Sequence, residues 1–414
     1  MSVSAMDMSR PRLPAYGLFA ALLAAAGLPI YIHAPKFFVD EYGVSLASLG
    51  GVLFALRLLD VVQDPLLGRL AERVRAYRDV AVAIALVSMA LAMLGLFAVA
   101  PPISPLIWFA LMLTVVFSGF SFLTINFYAQ GVAKADDLGP QGHLRLARWR
   151  ETGALIGVCI ASVAPVALGA FMDQPFAGFA AGFAVLAFAS MVAMRPEWDA
   201  SRQPPSEGFL VILRDGVARR LLIVAFLNAA PVAVSSTLFL FFVESRLAAP
   251  GMEGPLLLLF FLSAAVAAPI WGSLAERVGS KVTLLVAMGL AVLSFGGALF
   301  LGAGDVWLFA VVCVASGFAL GADLTILPAI FARRMSEIAP NAAEGFGLWA
   351  FMSKFTLAFA AVLLLPALEA SGFRAGGDNP VEALELLGTL YAGVPIALKL
   401  VAIALLATIN LKEN

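Results

Sequence analysis

Charge is scarce in this chain: 13% of its 414 residues are Asp, Glu, Lys or Arg, against 62% hydrophobic. The mean hydropathy, +0.97, lies far outside the range of a water-soluble globular domain, so lipid is the expected solvent. Neither sign dominates, with 26 basic and 27 acidic side chains and a pI near 6.2; nothing here would hold nucleic acid. Cysteine is nearly missing. Cys159 and Cys313 each stand alone in apolar sequence, which excludes a disulfide framework and a metal-type cysteine spacing, and leaves the redox compartment unread. With two histidines no Ser/His/Asp set is suggested, and the Gly-Ala-Asp of 321–323 has no second member to make an intramembrane aspartyl protease. No G-x-x-x-x-G-K-[ST] segment occurs, so an ATP-driven motor is excluded as well.

What the chain has instead is long apolar runs. A bilayer core takes roughly 20 apolar residues per helix, and twelve runs approach that length: 14–39, 46–70, 80–99, 105–129, 148–168 and 176–194, then 220–243, 255–275, 282–301, 306–331, 345–365 and 384–411. The first is too long for a signal-peptide core and reads as a retained membrane helix. A polar, proline-rich stretch between the sixth and seventh runs divides the chain into a six-helix bundle at 1–194, a linker at 195–219 and a second six-helix bundle at 220–414. The halves read as copies: PLLGRLAERV at 65–74 returns as PIWGSLAERV at 269–278, an offset of 204 residues. The expected fold is an all-α membrane protein of twelve transmembrane helices in two pseudo-repeats. Loop arginines and lysines (Arg10, Arg12, Arg69, Arg73, Arg75, Arg78, Lys134, Arg145, those of the linker, Arg277, Lys281, Arg333 and Arg334) gather on one side, with little beyond Arg246 and Arg374 on the other. The positive-inside rule then puts both termini in the cytoplasm.

Against this background the few intramembrane charges stand out. Arg57, Asp60 and Asp64 follow i, i+3, i+7, within about 60 degrees of one another on a helix. Each costs roughly 2.5 to 3.5 kcal/mol at a helix centre on insertion scales, so the stripe is expected to face protein or a watery cavity. Asp64 is matched in the second repeat by Ala268, so the reason for the acid belongs to the first half. Two carboxylates a turn apart repel when both ionised and invite a proton, sodium or a cationic side chain. Lys354, in the apolar run of the eleventh segment, is a candidate internal cation; with Arg57 it would balance Asp60 and Asp64. Asp323 in the tenth segment is a further buried acid. A simple structural ion pair is the competing reading of the set.

These features resemble the melibiose-permease-like glycoside-pentoside-hexuronide cation symporters of the major facilitator superfamily. The matching residues are Tyr16-Gly17, FVDEYGVS at 38–45, the second-helix pattern R-x-x-D-x-x-x-D-P-x-x-G at 57–68, RWRETGALIG at 148–157 and the FMSKFTLAF that carries Lys354. The resemblance implies the major facilitator fold in a bacterial cytoplasmic membrane. It implies Asp60 and Asp64 as ligands of sodium or a proton, with Gln63 beside them and Thr124 lining the same site. It further implies Lys354 as the residue that couples ion to solute and Arg150, at the opening of the fifth helix, as a substrate contact. The pattern departs at Ala24 and Thr124, where sugar-transporting members place acids, and near Leu324, where an aromatic is missing; the loss of two hydrogen-bond-accepting carboxylates argues against a melibiose-like galactoside.

Tyr128 could stack on a solute ring or sit at the membrane interface, and Trp349 and Trp271 could line a cavity or pack in the core. Glu151 could pair with Arg150, Pro29 bends the first helix, and His33 reads as an outer-interface residue, with titration beside a transported proton as the alternative. The expected activity is secondary transport of a small organic solute, a sugar or glycoside, driven by sodium or protons, with no cofactor. The alternatives are a proton-coupled exporter of an amphipathic or lipid-like metabolite and a non-transporting membrane sensor or assembly factor. Oligomeric state is not legible.

Overall fold

The computed structural model describes residues 12–198, 208–339, 342–374 and 379–410, and among them every regular element is a helix. The chain opens with α1 (Leu13–Ala25), α2 (Leu28–Tyr42), α3 (Leu46–Arg73), α4 (Arg78–Phe97), α5 (Pro105–Ala135), α6 (Gly142–Leu168) and α7 (Pro175–Met194). After a short α8 (Phe209–Arg214) come α9 (Gly216–Phe241), α10 (Glu253–Val278), α11 (Ser280–Ala298), α12 (Val306–Ile338), α13 (Ala343–Ala370), α14 (Val381–Gly388) and α15 (Val394–Thr408). π-helical turns, Phe242–Arg246 and Thr389–Gly393, extend α9 and join α14 to α15. Among the described residues ten helical stretches are long and apolar enough to cross a membrane. Exposed aliphatic and aromatic side chains such as Ile84, Leu91, Val166, Phe188, Leu293 and Val311 give the bundle the outer surface that lipid requires.

The helices differ from the apolar runs in instructive ways. The first run is two helices: α1 closes at Ala26, Gly27 adopts a non-helical conformation, and Pro29 in the first turn of α2 has no N–H to continue the α1 ladder. FVDEYGVS proves to be a helix stop followed by a start. Gly43 takes the left-handed conformation (φ 63°), Val44 N donates back to Phe38 O, and Ser45 Oγ caps α3 by accepting from Ser48 N at 3.2 Å.

Most other helices outrun the hydrocarbon-length segment that announces them. α6 begins at Gly142, not Arg148, so Arg148 and Arg150 lie inside the helix, and Arg277, Arg333 and Arg334 ride on the ends of α10 and α12 where loops were expected. The linker also contains α8 and the start of α9, its middle, with Arg202, lying outside the described residues, as do Arg10 and Leu411. Arg78, expected in a loop, is buried and donates to Gln130 Oε1 at 2.8 Å.

Both copies of the decapeptide repeat end a helix, α3 and α10. One apolar core is drawn wholly from residues 15–198 and another from 233–392, while a further core joins Val132, Leu144 and Ala147 of α5 and α6 to α9, α10 and α12. Glycines set the closest approaches: a Cβ on Gly157 of α6 would lie 2.4 Å from Ala21 O of α1, and one on Gly317 of α12 would lie 2.3 Å from Phe260 O of α10. Small residues at such crossings let the backbones pack, which is what holds helices together in lipid.

Gly157→Val is expected to cost about 1–3 kcal/mol by overpacking, read as a lower thermal midpoint of the purified protein, whereas Gly182→Ala on α7, with nothing within 4 Å, leaves the midpoint unlowered. Asp215 caps α9 by accepting from Ala218 N at 2.7 Å and accepts from Arg334 Nε at 3.0 Å. The hydrogen bond from Arg334 is the main cause holding its carboxyl below the usual carboxylate range. A lowered folded-state value stabilises the fold above the ordinary pKa, and that contribution is lost as pH falls through the folded value. Asp215→Ala should therefore cost about 1 kcal/mol at neutral pH, with the gap to the parent closing below about pH 4 in a pH series of melts.

Candidate functional site

Asp60, Gln63 and Asp64 occupy one face of α3 because residues three and four apart are neighbours on a helix. That face meets α5 and α13. Gly68 and Gly347 make the meeting possible: a Cβ on Gly347 would stand 3.1 Å from Asp64 O, and one on Gly68 would stand 3.1 Å from Ala343 O. With the backbones this close, Lys354, two turns beyond Gly347 on α13, reaches α3. Its Nζ donates to Asp64 Oδ1 at 3.0 Å and to Ser121 Oγ of α5 at 2.6 Å, and lies 3.7 Å from Asp60 Oδ1. Gln63 Nε2 donates to Asp60 Oδ1 at 2.6 Å, and Ser118 Oγ donates to Gln63 Oε1 at 2.9 Å. Asp60 is 6% and Asp64 0% exposed, so the acids face protein.

The charge count balances when Arg57, one turn before Asp60, is included: two carboxylates, one ammonium, one guanidinium. Asp64 Oδ2 and Thr124 Oγ1 are buried with no hydrogen-bond partner among the described residues. The carboxylate oxygen can take up a proton, and both oxygens can ligate a hard cation. The sequence reading passed over Ser118 and Ser121. They precede Thr124 at intervals of three on α5, a hydroxyl stripe that was visible in SGFSFLT once its partner helix was known.

The residues expected to touch solute form a second group. Arg150 Nε donates to Glu151 Oε1 at 2.7 Å, its guanidinium carbon lies 3.6 Å from the centroid of the Tyr128 ring, and Tyr128 OH donates to the same Glu151 oxygen at 3.0 Å. Arg150 Nη2 is buried without a partner among the described residues. Tyr128 packs on Phe346 (4.8 Å between centroids), Phe346 on Phe331 (5.5 Å) and Phe331 on Trp349 (5.0 Å), an aromatic chain running from Arg150 to α13. Trp271 lies in the core and donates to Phe318 O at 2.7 Å. His33 is buried, and its Nε2 lies 3.0 Å from Ser162 O.

Asp323 lies apart from both groups. It pairs with Lys399 of α15, whose Nζ also donates to Asn228 Oδ1 of α9 at 2.5 Å, all three side chains being buried. Lys399 and Asn228 were not singled out in the sequence, although a lysine within the apolar IALKLVAIALL carries the same signal as Lys354.

Apolar helices enclosing buried, balanced charges are the setting in which the sequence comparison decides the family. The family model described as MFS/sugar transport protein matches residues 13–413. The chain belongs to this family. It is therefore a multi-pass membrane transporter of the major facilitator superfamily, not an enzyme. No curated protein matches the sequence.

Solved structures share the transporter's fold. A bacterial homologue of the iron transporter ferroportin in an outward-facing state has 15% identity and a TM-score of 0.68, covering 96% of this chain and 99% of that one. The human organic anion transporter MFSD10 (TETRAN) has 16% identity and a TM-score of 0.65 (95% and 98% covered), and the E. coli fucose:proton symporter 14% and 0.65 (94% and 98%). At such identities the likeness is one of fold.

Lys399→Met, which strands Asp323 without its cation, is expected to destabilise the transporter by about 3–5 kcal/mol in thermal melts, and Lys399→Met/Asp323→Leu to recover most of the loss. Equal melts for Lys399→Met and the parent would show that the pair carries no such burden.

Proposed function

We propose that this transporter is a cation-coupled symporter of a small organic solute, with a sugar or glycoside as the solute class, resembling the melibiose-permease-like branch. The observation that carries the reading is the bond from Lys354 on α13 to Asp64 on α3. The lysine ammonium occupies the position of a coupling ion. Sodium or a proton arriving at Asp60 and Asp64, with Gln63 and Thr124 supplying further oxygens to sodium, competes with Lys354 for the same carboxylates. Loss of that bond loosens α13 from α3, so ion occupancy biases one conformation over another. Arg57 keeps the emptied acids from being doubly uncompensated.

Arg150 is the principal solute contact, offering its unpartnered Nη2 to a solute oxygen, with Tyr128 and Trp349 as the apolar walls; Asp323, held by Lys399, stands outside this contact. In this reading α1 with α2 makes one membrane pass and α14 with α15 another. Twelve passes then form two six-helix bundles at 1–194 and 220–414 that rock about the midplane, with both termini in the cytoplasm of a bacterial inner membrane.

Ala24 and Thr124, standing where sugar carriers place acids, favour a second reading: proton-coupled export of an amphipathic or lipid-like metabolite through the same fold. The direction of solute flux under an imposed sodium or proton gradient separates the two.

The test begins with melts of purified protein against sugars, glycosides, carboxylates and lipids, with and without sodium and at two pH values; a solute whose stabilisation grows with one ion identifies both passengers. In proteoliposomes under an imposed gradient of that ion, Asp60→Asn and Asp64→Asn are expected to abolish ion-driven accumulation of the solute. Full accumulation by either variant would overturn the ion-site assignment.

A further inference from the structure

At the arginine-rich end of the bundle a cavity of about 650 Å³ opens between the start of α6 and the ends of α10 and α12. Gln141 and His143 line it from one side, and Glu276, Arg277, Arg333 and Arg334 from the other. Its charges are unevenly satisfied. Glu276 lies within 3.5 Å of Arg148 and 3.8 Å of Arg145, and Arg334 is taken up by Asp215 and Glu337. Arg277 and Arg333 have no ion pair among the described residues, so the cavity holds two uncompensated guanidiniums. The planar fork of such a guanidinium donates to two oxygens of a phosphate at once.

Arg277 also lines a neighbouring cavity of about 500 Å³ formed by Pro269, Ile270, Ser273 and Leu274 on the outer face of α10. That groove is mostly apolar, and Ile270 and Leu274 are 49% and 38% exposed where lipid would lie. One arginine thus joins a cationic chamber to a hydrocarbon-facing groove, and a ligand that fills both must carry a phosphate at one end and an acyl chain at the other.

We propose that this is a binding site for an anionic phospholipid. The headgroup phosphate bridges Arg277 and Arg333 inside the chamber while an acyl chain lies along the Pro269–Leu274 face. Because the chamber has walls from α6 as well as from α10 and α12, and Gln141 Nε2 already donates across it to Glu276 O at 2.7 Å, the bound lipid favours the arrangement in which these helix ends stay together. The site is separate from the acids of α3 and does not depend on the identity of the coupling ion or solute.

The test uses the full chain in phosphatidylcholine nanodiscs with and without phosphatidylglycerol, reading lipid retention by native mass spectrometry and the thermal midpoint in the same discs. Phosphatidylglycerol should raise the midpoint and be retained preferentially. Arg277→Gln and Arg333→Gln should each weaken retention about fivefold, the effect of one basic group near an anionic surface, with Arg277→Lys keeping part of it. Arg214→Gln, an exposed arginine of α8 outside the cavity, should leave retention unchanged. Melts in phosphatidylcholine alone establish that each variant is folded. Retention by the Arg277→Gln/Arg333→Gln double variant equal to the parent's, or an equal loss in Arg214→Gln, would overturn the site; an equal rise in midpoint with inorganic phosphate alone would overturn the lipid assignment.

Discussion

The contact on which the site depends is one ammonium held between two helices 290 residues apart in the chain. In water an ion pair of this kind is worth little, because solvent screens it and competes for both partners. Between α3 and α13 the acid is fully buried, and separating the partners would leave a bare charge in a medium that cannot solvate it. The seam is therefore held firmly while the Lys354 ammonium stands at Asp64.

Glycine sets that position. Gly68 and Gly347 let the two backbones come within contact distance, so a lysine of fixed length can span to the carboxylates, to Ser121 and toward Asp60 at once. Further polar contacts across the molecule lie toward the arginine-rich end, where Arg148 donates to Ser273 at 2.8 Å and Gln141 to the backbone of Glu276. The Lys354–Asp64 pair and the contacts at the arginine-rich end are thus distinct layers of one interface.

How much of this was legible follows from cost. Asp60, Asp64 and Lys354 were visible because charge in an apolar run is expensive and must have a reason, and the helix-forming runs were visible because lipid demands about 20 residues of them. Helix ends were less so: residues such as Arg69, Glu72 and Arg73 keep a helix going past the hydrocarbon, where hydropathy stops reporting. The interruption at Gly27 depends on a backbone conformation that Pro29 hints at without placing. Ser118 and Ser121 escaped notice because a serine in a membrane helix can satisfy itself on its own backbone, as Ser294 and Ser353 do, so only packing reveals which one looks outward to a partner. Lys399 escaped although its signal was present; its acid and its amide come from two other helices, and no spacing rule connects them.

The wide turn at Thr389–Gly393 gives that last cluster a further meaning. A π turn accommodates an additional residue within a helix, and each residue advances the azimuth by about 100 degrees. Within it Tyr391 stacks on Phe242, itself the first residue of the other wide turn, at 4.1 Å between ring centroids; downstream, Lys399 points at Asn228 and Asp323. The bulge acts as a phase adjuster between these two engagements. Excising one residue there would force the final helix to choose which of its two appointments to keep.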